Sequence, residues 1–101
     1  MNMTIRQKID APRFKDILKN NRVRKIALFG SYVNGRPGKN SDLDFLVDFE
    51  NEADLFDQAG LKNDLEHYLN KNVDLVTRAG LNKYIKATVL KEAIQLWTSL
   101  H

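Results

Sequence analysis

Three aspartates and one glycine-serine pair carry the chemistry of this 101-residue chain. Asp42 and Asp44 stand two residues apart in the run SDLDFLVDF. On an extended strand, residues i and i+2 point to the same face, so both carboxylates project together. Upstream, the run KIALF ends at Gly30-Ser31. Gly30 lets the backbone turn sharply and approach a phosphate, and Ser31 adds a hydroxyl at the start of a helical turn whose N–H groups can bind anions. Downstream, Val73-Asp74-Leu75 repeats the alternation, so Asp74 can join the pair if its strand lies beside theirs. Three clustered carboxylates repel one another, each pair by about 4 kcal/mol at about 4 Å and an effective dielectric near 20. A divalent cation offsets that, or protonation must. Oxygen ligands favour magnesium, with manganese as the substitute, over zinc.

Each piece alone has a plainer explanation. A D-x-D pair on a strand is commonly solvated, as is a lone Asp74, and Gly-Ser can be a simple capped turn. The combination in this order is what carries specificity. Neither a P-loop nor a dinucleotide fingerprint is present, because Gly35 is followed by Arg36-Pro37 and G-x-G-x-x-G is absent. Asp48, Glu50, Glu52, Asp54 and Asp57 read as a solvated acidic surface.

The elements that must position these groups follow from periodicity. A first helix is predicted near Pro12–Asn20, with Asp10 as its cap and Thr4–Ile9 as a short preceding turn. Strands are predicted at Lys25–Phe29, Asp42–Phe49 and Val73–Thr77. A helical turn is expected at Tyr32–Gly35, a turn-rich segment at Gly35–Asn40, and helices at Asp54–Leu69, weakened by Gly60, and Asn82–Ala93. Ile94–Thr98 reads equally as more helix or as an edge strand. Leu43, Phe45, Val47 and Phe49 share one strand face and Asp42, Asp44, Leu46 and Asp48 the other, so helices should pack on one sheet face and leave the other open. The fold class is α/β in one domain, residues 1–101 with a core of about 12–98. The second and third strands should be parallel, because a helix connects them.

Charge is segregated. Residues 1–40 hold ten Lys/Arg against Asp10 and Asp16, whereas residues 42–66 hold nine Asp/Glu against Lys62 alone. The basic part suits ATP phosphates, an acidic partner or plain solvation, and the lack of arginine-rich runs gives nucleic acid little support. Zero cysteines exclude disulfides and fit a cytoplasmic location, and no apolar run approaches the length of a membrane span or a signal peptide core. Leu96, Trp97 and Leu100 suit either core packing, the favoured reading, or a partner or dimer surface. Tyr32 and Tyr84 suit packing at least as well as stacking on a base.

Gly30-Ser31-x-x-x-Gly35 followed by Ser41-Asp42-x-Asp44, with the V-D-L strand at Asp74, resembles the polymerase-β-like nucleotidyltransferase superfamily, above all its minimal MNT-type branch. The likeness runs from Lys25 to about Thr98. It implies a small mixed sheet with helices mainly on one face. It also implies two magnesium ions held by Asp42, Asp44 and Asp74, a triphosphate held at Gly30-Ser31, and phosphate contacts from Gly35, Ser41, Arg36 and Lys39. Many minimal members carry Ala-Arg where this chain has Val33-Asn34; Arg36 and Lys39 lie close enough in sequence to substitute. The resemblance further implies a prokaryotic protein adenylyltransferase that transfers AMP from ATP to a tyrosine of a cognate HEPN-domain RNase toxin, acting as its antitoxin. In that setting a homo-oligomer or a hetero-oligomer with the toxin is expected. Two alternatives stand beside it: a non-catalytic antitoxin working by contact, and nucleotidyl transfer to a small molecule or nucleic acid.

Overall fold

The computed structural model describes residues 3–33, 42–78, 80, 81 and 83–99, apart from the side chains of residues 83–85. The turn expected at Thr4–Ile9 is a helix, α1 (Ile5–Asp10). Thr4 Oγ1 accepts from the Gln7 N–H at 3.1 Å while Gln7 Oε1 accepts from the Thr4 N–H at 2.9 Å, a reciprocal cap that starts the helix. Asp10 therefore ends α1 and does not cap the next helix. Helix α2 (Pro12–Asn20) starts at Ala11, which makes no side-chain cap bond, and Pro12 suits its first turn.

Strand β1 (Val23–Phe29) begins two residues earlier than expected and runs into a 3-10 turn at Gly30–Tyr32. Then come β2 (Leu43–Phe49), α3 (Leu55–Leu69), β3 (Val73–Thr77), α4 (Lys83–Glu92) and β4 (Ile94–Thr98). Asp54 and Asp57 are not merely solvated acids. Asp54 accepts from the Asp57 N–H at 3.1 Å, and Asp57 from the Asp54 N–H at 3.0 Å, which closes the start of α3. Asn70 ends that helix in the left-handed region at φ 54°, which asparagine tolerates.

The sheet order is β3-β2-β1-β4. Strands β2 and β3 are parallel, as the connecting helix requires, and β1 is antiparallel to both β2 and β4. The ambiguous segment Ile94–Thr98 is thus an edge strand, extended at its end by Ser99 N–H donating to Arg24 O at 2.8 Å. On one face, Phe14, Ile17 and Leu18 of α2 and Leu61, Leu65 and Leu69 of α3 pack on Ile26, Leu43, Phe45, Val47 and Val73. The rings of Phe14 and Phe45 meet at 6.4 Å between centroids. Leu96 and Trp97 pack against this core, in line with the favoured reading, while Leu100 lies outside the described residues.

The opposite face departs from expectation in its middle. Leu46 and its register partner Ala27 are buried, so that face is polar at its ends and apolar between them. Asp48 is also not free in solvent: its Oδ2 lies 3.2 Å from Nε of Arg78, just past the end of β3.

Gly60 sits mid-helix for a reason. A Cβ there would come 2.7 Å from Asn21 Oδ1. Asn21 is buried, and its amide donates to Ile17 O and Asp64 Oδ2, both at 2.9 Å, which ties α2 to α3. Gly60→Ala should therefore destabilise the protein despite a helix-propensity gain of about 1 kcal/mol. In an Asn21→Ala background the same change should stabilise it. Urea denaturation of the four proteins checks that reversal of sign.

Candidate active site

Strand register brings Asp44 and Asp74 to one face. Asp44 is opposite Phe29 on β1 and opposite Asp74 on β3, so Asp44 and Asp74 project to the same side. Asp42 precedes β2 by one residue and is exposed, as is Asp74, whereas Asp44 is half-buried. The Asp44 carboxyl is raised above its ordinary value, first by burial and then by the negative charges of Asp74 and Asp42. The three carboxylates thus share one electrostatic field, with Asp44 at its centre.

Gly30 completes the arrangement at the end of β1. Its φ of +82° is a conformation that glycine adopts without strain. A Cβ at this position would overlap the Asp44 carboxylate and come within 3.0 Å of its Cγ. The turn and the central acid are therefore packed against each other, backbone on side chain. The turn is closed by Val33 N–H donating to Gly30 O at 3.0 Å, with Ser31 inside it. Gly35, Arg36, Lys39 and Ser41, and the departure at Asn34, lie outside the described residues.

Tyr32 packs against the core, and Lys71 Nζ lies 5.5 Å from its ring centroid. That placement supports packing over base stacking for Tyr32; the Tyr84 side chain lies outside the described residues. It also brings a cation to the Gly30–Tyr32 turn that sequence reasoning missed. The available signal was the position of Lys71 three residues before Asp74, in the turn that leads into β3.

The donors fit a hard divalent cation. They are all carboxylate oxygens, and Asp44, raised first by burial, also feels the negative charges of Asp74 and Asp42 that such an ion would relieve. Among the described residues no three acidic or histidine side chains already stand as a closed metal cage, so an ion would have to draw these carboxylates together.

Residues 11–96 match the nucleotidyltransferase domain family. The chain belongs to that family. A protein adenylyltransferase, MntA, from Thermococcus cleftensis is 41% identical over 80 residues, which is 79% of this chain and 81% of that protein. Among solved structures, one assigned to the minimal nucleotidyltransferases superposes with a TM-score of 0.78 at 33% identity, covering 92% of this chain and 96% of the other. A toxin–antitoxin crystal structure with AMP-PNP gives a TM-score of 0.70 at 29% identity, covering 86% of this nucleotidyltransferase and 72% of its counterpart. The small mixed sheet anticipated from sequence is the architecture of these relatives. No helix among the described residues is long and apolar enough to cross a membrane.

Proposed function

We propose that this nucleotidyltransferase is a protein adenylyltransferase, moving AMP from ATP to a tyrosine hydroxyl of a HEPN-domain RNase toxin and acting as its antitoxin. The observation that carries the reading is the half-buried Asp44, its carboxyl raised beside Asp42 and Asp74 and packed against the Gly30 turn. The relatives supply the direction: a protein adenylyltransferase at 41% identity and a toxin–antitoxin complex with AMP-PNP at 29%. A further toxin–antitoxin complex, 26% identical, was solved with two aspartates, two positions apart, replaced by glutamate. That spacing is the spacing of Asp42 and Asp44.

Asp42, Asp44 and Asp74 would hold two magnesium ions, Asp42 serving the nucleotide and Asp74 the acceptor. Magnesium bound there supplies positive charge against the triphosphate and lowers the pKa of the acceptor hydroxyl. The turn at Gly30-Ser31 holds the triphosphate, with Gly35, Arg36, Lys39 and Ser41 as its further contacts. Asp74 is exposed and can take the hydroxyl proton. The acceptor oxygen bonds to the α-phosphorus, the bond to the bridging β-phosphate oxygen breaks, and pyrophosphate leaves. The toxin tyrosine then carries AMP.

A contact-only antitoxin has one specific observation in its favour. Leu55 and Phe56 are 77% and 86% exposed at the first turn of α3, beside Glu52, Asp54 and Asp57. Intact-mass spectrometry of the toxin after incubation with this protein, magnesium and ATP separates the two readings. Gain of AMP, lost with Asp42→Asn/Asp44→Asn, is the expected result. An unmodified toxin that is nonetheless silenced would replace transfer with contact.

A further inference from the structure

The first residue of β3 is held by a helix where a neighbouring strand would be. Leu43 and Val73 are register partners in the parallel pair, and the Leu43 N–H donates to Asn72 O at 2.9 Å. In such a ladder the residues flanking Val73 bond to β2, so the N–H and C=O of Val73 itself face outward from this edge strand. Both are satisfied from α3. Val73 N–H donates to Glu66 Oε2 at 2.9 Å, and Lys62 Nζ donates to Val73 O at 2.8 Å. Lys62 and Glu66 are one helical turn apart, with Nζ and Oε2 separated by 3.6 Å. The pair grips both backbone groups of the residue immediately before Asp74.

We propose that Lys62 and Glu66 are positioning residues for Asp74. Their clamp on Val73 sets where the Asp74 carboxylate stands relative to Asp44, and through that the rate of nucleotidyl transfer. The proposal rests on the role given to Asp74 in the proposed function. The start of an edge strand is where a sheet frays most readily, having a partner on one side only. A displacement of about 1 Å at a reacting group can cost about 100-fold in rate. A partly exposed Lys–Glu pair does little for stability by itself, so its placement on this backbone, and not its charge pairing, is the informative feature.

The test uses the full chain with the toxin and ATP. Glu66→Ala should lower kcat by about 10–100-fold, the range for residues that orient a metal-binding group, with KM for ATP within about twofold of the starting protein. Glu66→Gln keeps an oxygen acceptor for the Val73 N–H and should recover most of the rate. In an Asp74→Asn background, Glu66→Ala should cost nothing more, because its route runs through Asp74. An unchanged kcat in Glu66→Ala, or the same fold-loss in both backgrounds, would overturn the proposal. Should Glu66→Ala fail to fold, Lys62→Met leaves the Val73 N–H bonded and carries the same kinetic comparison. If the starting protein transfers nothing, the proposed function fails, and the clamp is then decided by Mn2+ titration followed by electron paramagnetic resonance. Weaker binding in Glu66→Ala that Glu66→Gln restores supports it; equal binding in all three proteins overturns it.

Discussion

Asp44→Asn should make this protein harder to melt at neutral pH while removing its transferase activity. Burial and the charges of Asp74 and Asp42 raise the Asp44 carboxyl above its ordinary value of 3.8, so the ionised group is held in the fold at a cost. Between 3.8 and the raised value the folded state binds more protons than the unfolded state, and stability falls as pH rises through that window. Above the window the penalty is complete; below 3.8 it is absent. Asparagine keeps the shape and loses the charge. Its melting temperature should exceed that of the parent at pH 7, by a margin that added salt narrows. The two curves should converge in acid. Magnesium should raise the melting temperature of the parent more than that of the variant, because the cation offsets the same repulsion. Activity should fall by at least about 1,000-fold if Asp44 holds magnesium as proposed, because such a ligand supports several kcal/mol of transition-state stabilisation. Transfer within tenfold of the parent would remove Asp44 from the mechanism, and coincident melting curves at every pH would remove the repulsion.

Gly30→Ala should cost both stability and activity, for two separable reasons. The backbone at φ +82° disfavours any residue with a Cβ, by about 1–2 kcal/mol. The added methyl would also meet the Asp44 carboxylate and push it out of line with Asp42 and Asp74. A shift of about 1 Å there predicts a loss of about 100-fold in transfer. In an Asp44→Ala background the clash with the carboxylate is gone and only the tight 3.2 Å approach to the residue-44 Cβ remains, so the stability cost should shrink towards the backbone part. Urea midpoints of the single and double variants measure the difference. An identical cost in both backgrounds would mean that turn and acid do not touch.

Much of the site's framework was legible because it is written in period two. Leu43, Phe45 and Val47 alternate with Asp44 and Asp48, and Val73–Thr77 repeats the pattern, so strand, face and parallel pairing follow from local sequence. Helix α1 was missed and read as a turn, although Thr4-x-x-Gln7 is a capping signal, because the helix is too short to show an apolar stripe. Ile94–Thr98 could not be settled locally, because what makes it a strand is its pairing with β1. Lys62 and Glu66 look like any i,i+4 surface pair, and only the return of the chain at Val73 gives them a backbone to hold. Asp48 and Leu46 were misread for a related reason: Arg78 reaches Asp48 from just past the end of β3, and burial in the middle of a sheet face depends on the neighbouring strands.

The strand order also dictates a sequence of events in time. Strand β4 lies against β1, so Ile94 must find Leu28 after the intervening chain has been laid down. Closing a loop of that length costs about 4 kcal/mol of chain entropy before any contact repays it. The unit β2-α3-β3 closes over about half that length, from Leu43 to Val73, and should condense first, with β1 beside it. The last strand then joins an already formed sheet, and side chains that engage after the rate-limiting step govern unfolding more than folding. Substitutions within residues 43–77 should accordingly change the folding rate most, and substitutions within residues 94–98 the unfolding rate, which stopped-flow chevrons of Leu46→Ala and Leu96→Ala would check.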